Sequence, residues 1–198
     1  MGCCIYELFT IECDVSLLFY IRKINFKRNI LQRERQEGIK IMHDTKYYDI
    51  GLNLFCRQFP EPEKIIKDAA DNGVCCILTG TDSKENSKID EFVKRHEVFG
   101  TAGIHPHNAD QAKQEDFQKI EKILSENNKI VAVGECGLDY DRMFSTKENQ
   151  VRCLEKHIVL AEKLDKPLFL HERSAADDFI KRFKKHPDIC KKSVVHCF

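Results

Sequence analysis

The sequence predicts an α/β fold, a parallel barrel of alternating strands and helices in which six strands and five helices are present. Three observations carry this reading. Short apolar runs recur at residues 47–54, 74–80, 98–104, 130–135, 167–171 and 193–198, at intervals of roughly 30 residues, the length of one strand–helix unit. Between them apolar residues fall at helical spacing: Phe117, Ile120 and Leu124 share one face, as do Val151, Leu154, Ile158, Ala161 and Leu164. The strands are apolar nearly throughout, as in a parallel sheet covered on both faces.

Taken in order, each element has its own boundary signal. The first strand, 47–54, precedes a helix that Asp71-Asn72-Gly73 brings to a stop. The second, 74–80, is followed by Asp82 with Glu85 three residues on, which reads as a capping box opening the next helix. The third, 98–104, leads into His105-Pro106-His107 and then the Phe117 helix. The fourth, 130–135, is followed by Ser145 and Glu148, a second predicted capping box, and the Val151 helix. The fifth, 167–171, precedes a helix carrying the basic cluster Lys181, Arg182, Lys184, Lys185, Lys191 and Lys192, which reads as a solvated surface. The sixth, 193–198, ends the sequence.

Composition narrows the function classes. With 32 basic and 32 acidic residues the chain is neutral, so no overall field draws it to nucleic acid or an acidic surface. Ten cysteines suggest disulfides at first sight, but Cys3-Cys4 and Cys75-Cys76 are adjacent pairs and others sit in apolar strands. No Cys-x-x-Cys occurs, which argues against a zinc ribbon, and reduced thiols are expected. Residues 1–41 read as an extension outside the barrel, which occupies 42–198. Residues 5–24 are rather apolar but carry Glu7, Glu12 and Asp14, which a membrane span rarely tolerates. They lack the pattern of a signal peptide, and Tyr6 breaks the myristoylation pattern begun by Met1-Gly2. The expected location is the cytoplasm, with the nucleus as the alternative.

Three strands end in residues that carry chemistry. Val131-Ala-Val-Gly-Glu135 ends in a carboxylate; Pro167-Leu-Phe-Leu-His171 and Ser193-Val-Val-His196 end in imidazoles. Carboxyl ends of successive parallel strands converge on one face, where barrel enzymes build their sites. An ionised carboxylate there is costly unless paired or bound to a cation. Glutamate with histidine suits a divalent metal that activates water, whereas any one of the three alone reads as a hydrogen-bonded structural residue.

The motifs Asp49-Ile-Gly-Leu-Asn53-Leu, Thr79-Gly-Thr, Gly103-Ile-His105-Pro-His107, Gly134-Glu135-Cys-Gly-Leu-Asp139, Phe169-Leu-His171 and Val195-His196-Cys-Phe198 resemble, in order and spacing, the TatD family of metal-dependent deoxyribonucleases. The resemblance covers about residues 46–198. It implies a TIM-type (β/α)8 barrel and hydrolysis of DNA phosphodiesters, often from the 3′ ends of single strands. By position Glu135, His171 and His196 match family metal ligands, with Mg2+ the expected ion and Mn2+ or Zn2+ the alternatives. Two features depart from the family pattern. A His-x-His pair on the first strand of many relatives is matched by Gly51 and Asn53. The family's Glu-Thr-Asp-x-Pro segment lies beyond the His196 block, and the sequence stops at Phe198. A complete barrel of this kind takes roughly 250 residues. The expectation is therefore a chain that stops after the sixth of eight strands and exposes an open edge, the alternative being a short protein that closes by dimerising.

Around this core the sequence offers further candidates. Glu135 is the catalytic carboxylate. His105 and Arg173 are candidates for binding a phosphodiester, Arg173 by bidentate hydrogen bonds unless it pairs with Asp139 or Glu172. His107 reads equally as a ligand of phosphate or as an exposed turn residue. Asp49 and Asp139 are candidates to support the ligands from behind. The reading is a metal-dependent hydrolase with DNA as its substrate and no membrane contact; nothing in the sequence marks an oligomeric state. The alternatives are a binding-only chain and an amide or ester hydrolase on the same barrel.

Overall fold

The structure, a computed structural model, describes residues 47–196. The extension at 1–41, and the last two residues of the predicted sixth strand, lie outside the described residues. Six strands form one sheet in the order β1 (Tyr47–Leu52), β2 (Val74–Leu78), β3 (Phe99–Ala102), β4 (Ile130–Asp139), β5 (Leu168–Arg173) and β6 (Val194–His196). Every neighbouring pair is parallel, so the sheet curls as six successive strands of a barrel wall. The predicted fold class stands.

The crossovers are α1 (Pro62–Asp71), α2 (Ser83–Arg95), a 3-10 turn (Pro106–Gln111) with α3 (Gln114–Glu126), α4 (Lys147–Lys163), and α5 (Ala176–Phe183) with α6 (Pro187–Cys190). The fifth crossover, expected as one helix, is divided. Pro187 has no N–H to continue a helix and restarts one instead. Asp82 caps α2 as predicted, its Oδ1 accepting from the amides of Lys84 and Glu85, both at 2.8 Å. Glu85 does not close the box; its carboxylate accepts from the Thr81 hydroxyl. Ser145 is not a cap at all. The cap of α4 is the next residue, Thr146, because the buried Ser145 hydroxyl bridges to the 3-10 turn, donating to His107 O at 2.9 Å and accepting from Asp110 N at 3.1 Å.

Two apolar layers separate the faces of the sheet. The larger packs the helices on the outside and holds Ile89, Phe92, Ile120, Leu124, Leu154 and Ile158 with Val133, Cys136, Leu138 and Leu170 of the strands. The smaller fills the inside of the curl with Cys75, Ile77, Phe99, Val131, Phe169 and Val194, against which Tyr48 and Ile50 pack. His157 of α4 ties the outer layer to the end of β3. Its buried ring donates from Nδ1 to Cys153 O at 2.7 Å and accepts at Nε2 from Ile104 N at 3.1 Å.

β4 is the element most different from expectation. It was predicted to end at Glu135 and runs on to Asp139. Its pairing with β5 slips between Val133 and Cys136, and Gly134 and Gly137 sit at φ +142° and +149°. A Cβ at Gly134 would lie 2.2 Å from Phe169 O, and one at Gly137 only 1.9 Å from His171 O. The slip reverses the alternation of the strand. Val133 faces the helices, yet Glu135, two residues on, faces the inside of the curl toward His171 and His196.

Gly137→Ala is expected to lower stability by about 3 kcal/mol, combining a positive φ with a backbone clash that no rotamer relieves; urea unfolding followed by circular dichroism measures it. His157 gives a pH signature. Burial pushes its imidazole from 6.5 down to about 4, so the unfolded chain takes up a proton that the folded chain refuses. Its contribution is complete above about 6.5 and is lost as pH falls toward about 4. His157→Gln, which keeps an acceptor for Ile104 N, should lose about 3 kcal/mol less than the parent over that window, read from urea midpoints at the two ends.

Candidate metal centre

The carboxyl ends of β4, β5 and β6 and the segment after β3 bring four imidazoles and two carboxylates together. Glu135 Oε1 is the meeting point: His196 Nε2 lies 2.5 Å away, His171 Nδ1 3.2 Å and His105 Nε2 3.4 Å. The side chain is nearly buried, and the aromatic face of Phe169 forms a floor on which His196 stacks at 4.6 Å. Behind the cluster stands Asp139, fully buried, whose Oδ2 meets His107 Nε2 at 2.8 Å and His171 Nε2 at 3.2 Å. Its Oδ1 accepts from the amides of Asp141 and Arg142 at 3.1 and 2.8 Å.

Protonation follows from these contacts. Burial works to raise both carboxyls and is outweighed in each case. For Glu135, the contacts with His105, His171 and His196 hold the group well below the ordinary carboxylate range. For Asp139, the Arg142 amide, His107 and His171 hold it at about 2. An ionised carboxylate can only accept, so His107 and His171 present Nε2–H to Asp139. His171, so held, presents Nδ1 inward, 3.2 Å from Glu135 Oε1 and 3.3 Å from His105 Nε2. Nitrogen and oxygen atoms crowded in this way share protons or a cation between them. His105 is of the opposite kind. Its Nδ1 accepts from the His107 amide at 3.2 Å, which leaves the proton on Nε2, pointing into the cluster. Burial lowers its pKa, Glu135 opposing, so the ring is neutral at neutral pH.

His105, Glu135 and His171 form a trio whose ligand atoms all lie within 4.8 Å of one another. The donor types and spacing fit a metal ion. His196 lies outside that trio but reaches the same Oε1.

Of the other predicted residues, Arg173 lies two positions after His171 on β5 and so on the same face. It forms no ion pair with Asp139 or Glu172 among the described residues; Glu172 instead accepts from Ala175 N at 2.7 Å. Asp49 is not brought to the cluster. It stands opposite Cys76, whose side chain belongs to the helix-facing layer, while its neighbours Tyr48 and Ile50 face inward. Burial raises its carboxyl. A position at the head of a motif gave no information about which face it occupies.

Two residues have supporting roles that the sequence reading missed. His107, read equally as a phosphate ligand or as an exposed turn residue, holds Asp139. Gln150 of α4 is fully buried and clasps the backbone of Asp139 from both sides, Oε1 accepting from its N at 2.7 Å and Nε2 donating to its O at 3.0 Å and to Ser145 O at 2.9 Å. A glutamine on a helix reads as surface, and nothing in its spacing marks this one as buried.

The match to known proteins covers this whole arrangement. The family model for TatD-related DNases matches residues 48–198. The chain belongs to this family. Among its relatives, the 3′-5′ ssDNA/RNA exonuclease TatD of Erwinia amylovora is 37% identical over 155 residues, 76% of this chain and 60% of the relative. The enzyme of that name from Shigella flexneri is 34% identical over 154 residues, 76% and 59% of the two chains. Of solved structures, a TatD homolog from Escherichia coli K12 superposes with a TM-score of 0.69 at 26% identity, covering 78% of this chain and 61% of that one. A TatD-family hydrolase from Entamoeba histolytica gives 0.66 at 28%, covering 79% and 60%. The chain thus spans about 60% of the length of the relatives it matches.

Gln150→Leu keeps the size of the side chain and strands the N–H and C=O of Asp139 in the core. Thermal and urea unfolding should show a loss of about 3 kcal/mol, from two buried polar groups left unpaired, whereas Lys156→Leu on the outer face of α4 should change little.

Proposed function

We propose that this TatD-family chain is a metal-dependent phosphodiesterase acting on single-stranded DNA from its 3′ end, with residues 42–198 as the hydrolase unit and no catalytic role for 1–41. The observation that carries the reading is the convergence of His171 Nδ1 and His196 Nε2 on Glu135 Oε1, at 3.2 and 2.5 Å. The names of the relatives supply the substrate class, and the family match that begins at residue 48 supports the unit.

In this reading Glu135, His171 and His196 hold a divalent cation, and Glu135 is the catalytic carboxylate. When bound, the cation supplies Lewis acidity, polarising a phosphoryl oxygen and making water more acidic. Asp139 fixes the His171 ring through Nε2–H, so that Nδ1 is the nitrogen offered to the ion. His105, trapped with its proton on Nε2, is a hydrogen-bond donor and serves a phosphate oxygen. Arg173, on the His171 face, is the second phosphate contact. The sequence put Mg2+ first; a donor set rich in imidazole suits Mn2+ or Zn2+ better, since magnesium prefers oxygen. We place the protein in the cytoplasm, with the nucleus as the alternative, because Cys56, Cys75, Cys76, Cys136, Cys153 and Cys190 are free thiols. No helix among the described residues is long and apolar enough to cross a membrane.

The test is hydrolysis of end-labelled single-stranded DNA after chelation and readdition of Mg2+, Mn2+ or Zn2+. Shortening from the 3′ end is expected only with metal. His171→Ala should reduce it at least about 100-fold, more than loss of an orienting partner does, while the exposed Lys184→Ala leaves it intact. Hydrolysis of amide or carboxylic ester substrates with no action on DNA would overturn the assignment.

A further inference from the structure

Four large apolar side chains are strongly exposed among the described residues: Tyr47, Met143, Phe144 and Val159. Singly such residues are ordinary. Met143 and Phe144, however, are adjacent, and both stand on the loop that follows β4, at the end of the sheet where the carboxylate cluster lies. Phe144 is 64% exposed, yet its backbone is pinned on both sides. Before it, the Arg142 amide donates to Asp139 Oδ1 at 2.8 Å. After it, Ser145 Oγ donates to His107 O, and Ser145 O accepts from Gln150, both at 2.9 Å. Met143 between the anchors takes φ +51°, a left-handed conformation that a side chain as long as methionine rarely adopts. The loop therefore holds a bare aromatic ring still, at a cost in both strain and hydration.

The ring is also coupled to the site. It meets His107 edge-to-face, centroids 4.7 Å apart, and His107 is the residue bonded to Asp139, 6.1 Å from the His171 ring. Two ring contacts thus separate Phe144 from the proposed metal-holding residues, about the reach of one nucleotide. A rigid, solvated aromatic beside a phosphodiester site is what a nucleobase stacks on, and stacking tolerates any base because each has a π-face.

We infer that Phe144 is a stacking platform for a nucleobase of the single-stranded substrate, an inference that rests on the nucleic-acid reading of the site. The platform sets where the strand lies and contributes to substrate affinity rather than to bond cleavage. His107 serves as its buttress.

The experiment uses the full chain, metal-loaded, with a single-stranded oligodeoxynucleotide carrying 2-aminopurine at its 3′ end and non-cleavable phosphorothioate linkages there. Stacking on an aromatic ring quenches 2-aminopurine. The parent protein should quench it, Phe144→Ala should lose the quenching, and Phe144→Trp should restore it. On a cleavable strand Phe144→Ala should raise KM at least about 10-fold, within the range of one lost base stack, with kcat nearly unchanged. Its thermal midpoint should match the parent, since the ring packs against little. A Phe144→Ala protein with parental quenching and KM overturns the inference and leaves the hydrolase reading standing. Quenching that depends on Phe144 in a protein that cleaves no DNA supports the platform and overturns the hydrolase reading. A parent that neither quenches nor cleaves overturns both.

Discussion

Everything at the carboxyl end of this sheet answers to one constraint, a glutamate carboxylate taken almost wholly out of water. Removing an ion from water costs several kcal/mol even after relaxation, and Glu135 is only 5% exposed. Left to burial alone the group would hold its proton. It stays ionised because three strand connections each deliver an imidazole to it: His105 beyond β3, His171 on β5 and His196 on β6. The parallel order of the strands makes that convergence possible, since each strand presents its carboxyl end to the same face. The glycines of β4 make it happen. Without the slip at Gly134, Glu135 would share a face with Val133 and project among the helices, away from His105, His171 and His196.

The second carboxylate repeats the solution one layer back. Asp139 is held by backbone amides, by His107 and His171, and through its own main chain by Gln150. Its effect on the centre is directional rather than merely electrostatic. By taking the Nε2 proton of His171 it decides which nitrogen that ring offers to Glu135. His105 receives the opposite instruction from the amide of His107. Two histidines within one cluster are thus sorted, by their outer partners, into an acceptor and a donor. Proximity alone would have grouped them as equals.

The fold was largely legible because it depends on apolar periodicity, and all six strands and the amphipathic α3 and α4 were found from spacing. The convergence of Glu135, His171 and His196 was legible for a related reason: topology places strand ends, and strand ends can be counted. What escaped were features fixed by backbone contacts between distant segments. The extension of β4 to Asp139 depends on how closely β5 approaches, which no period-two pattern encodes. Ser145 satisfied the pattern of a helix cap but was taken by the 3-10 turn. Gln150 carries a polar label and a core address. Asp49 failed for want of a face: a motif gives order along the chain, whereas only the register against Cys76 shows that it lies on the helix side.

The same physics separates stability from function along the length of β4. At its start Ile130 and Val131 are buried among apolar neighbours, one strand turn belonging to each layer. From Gly134 onward every inward position is a glycine or a carboxylate, and the outward ones, Cys136 and Leu138, remain in the helix-facing core. The outer layer therefore anchors the strand while its inner edge is released from packing. This is why a buried ion can be tolerated here: Cys136 and Leu138 hold the backbone that Glu135 and Asp139 need, and the two carboxylates are ordered by a core they do not join. A site assembled on loops alone would have to order the same groups without that anchor, and the exposed but pinned loop after β4 shows what such ordering requires, with Asp139, His107 and Gln150 all engaged in fixing its two ends.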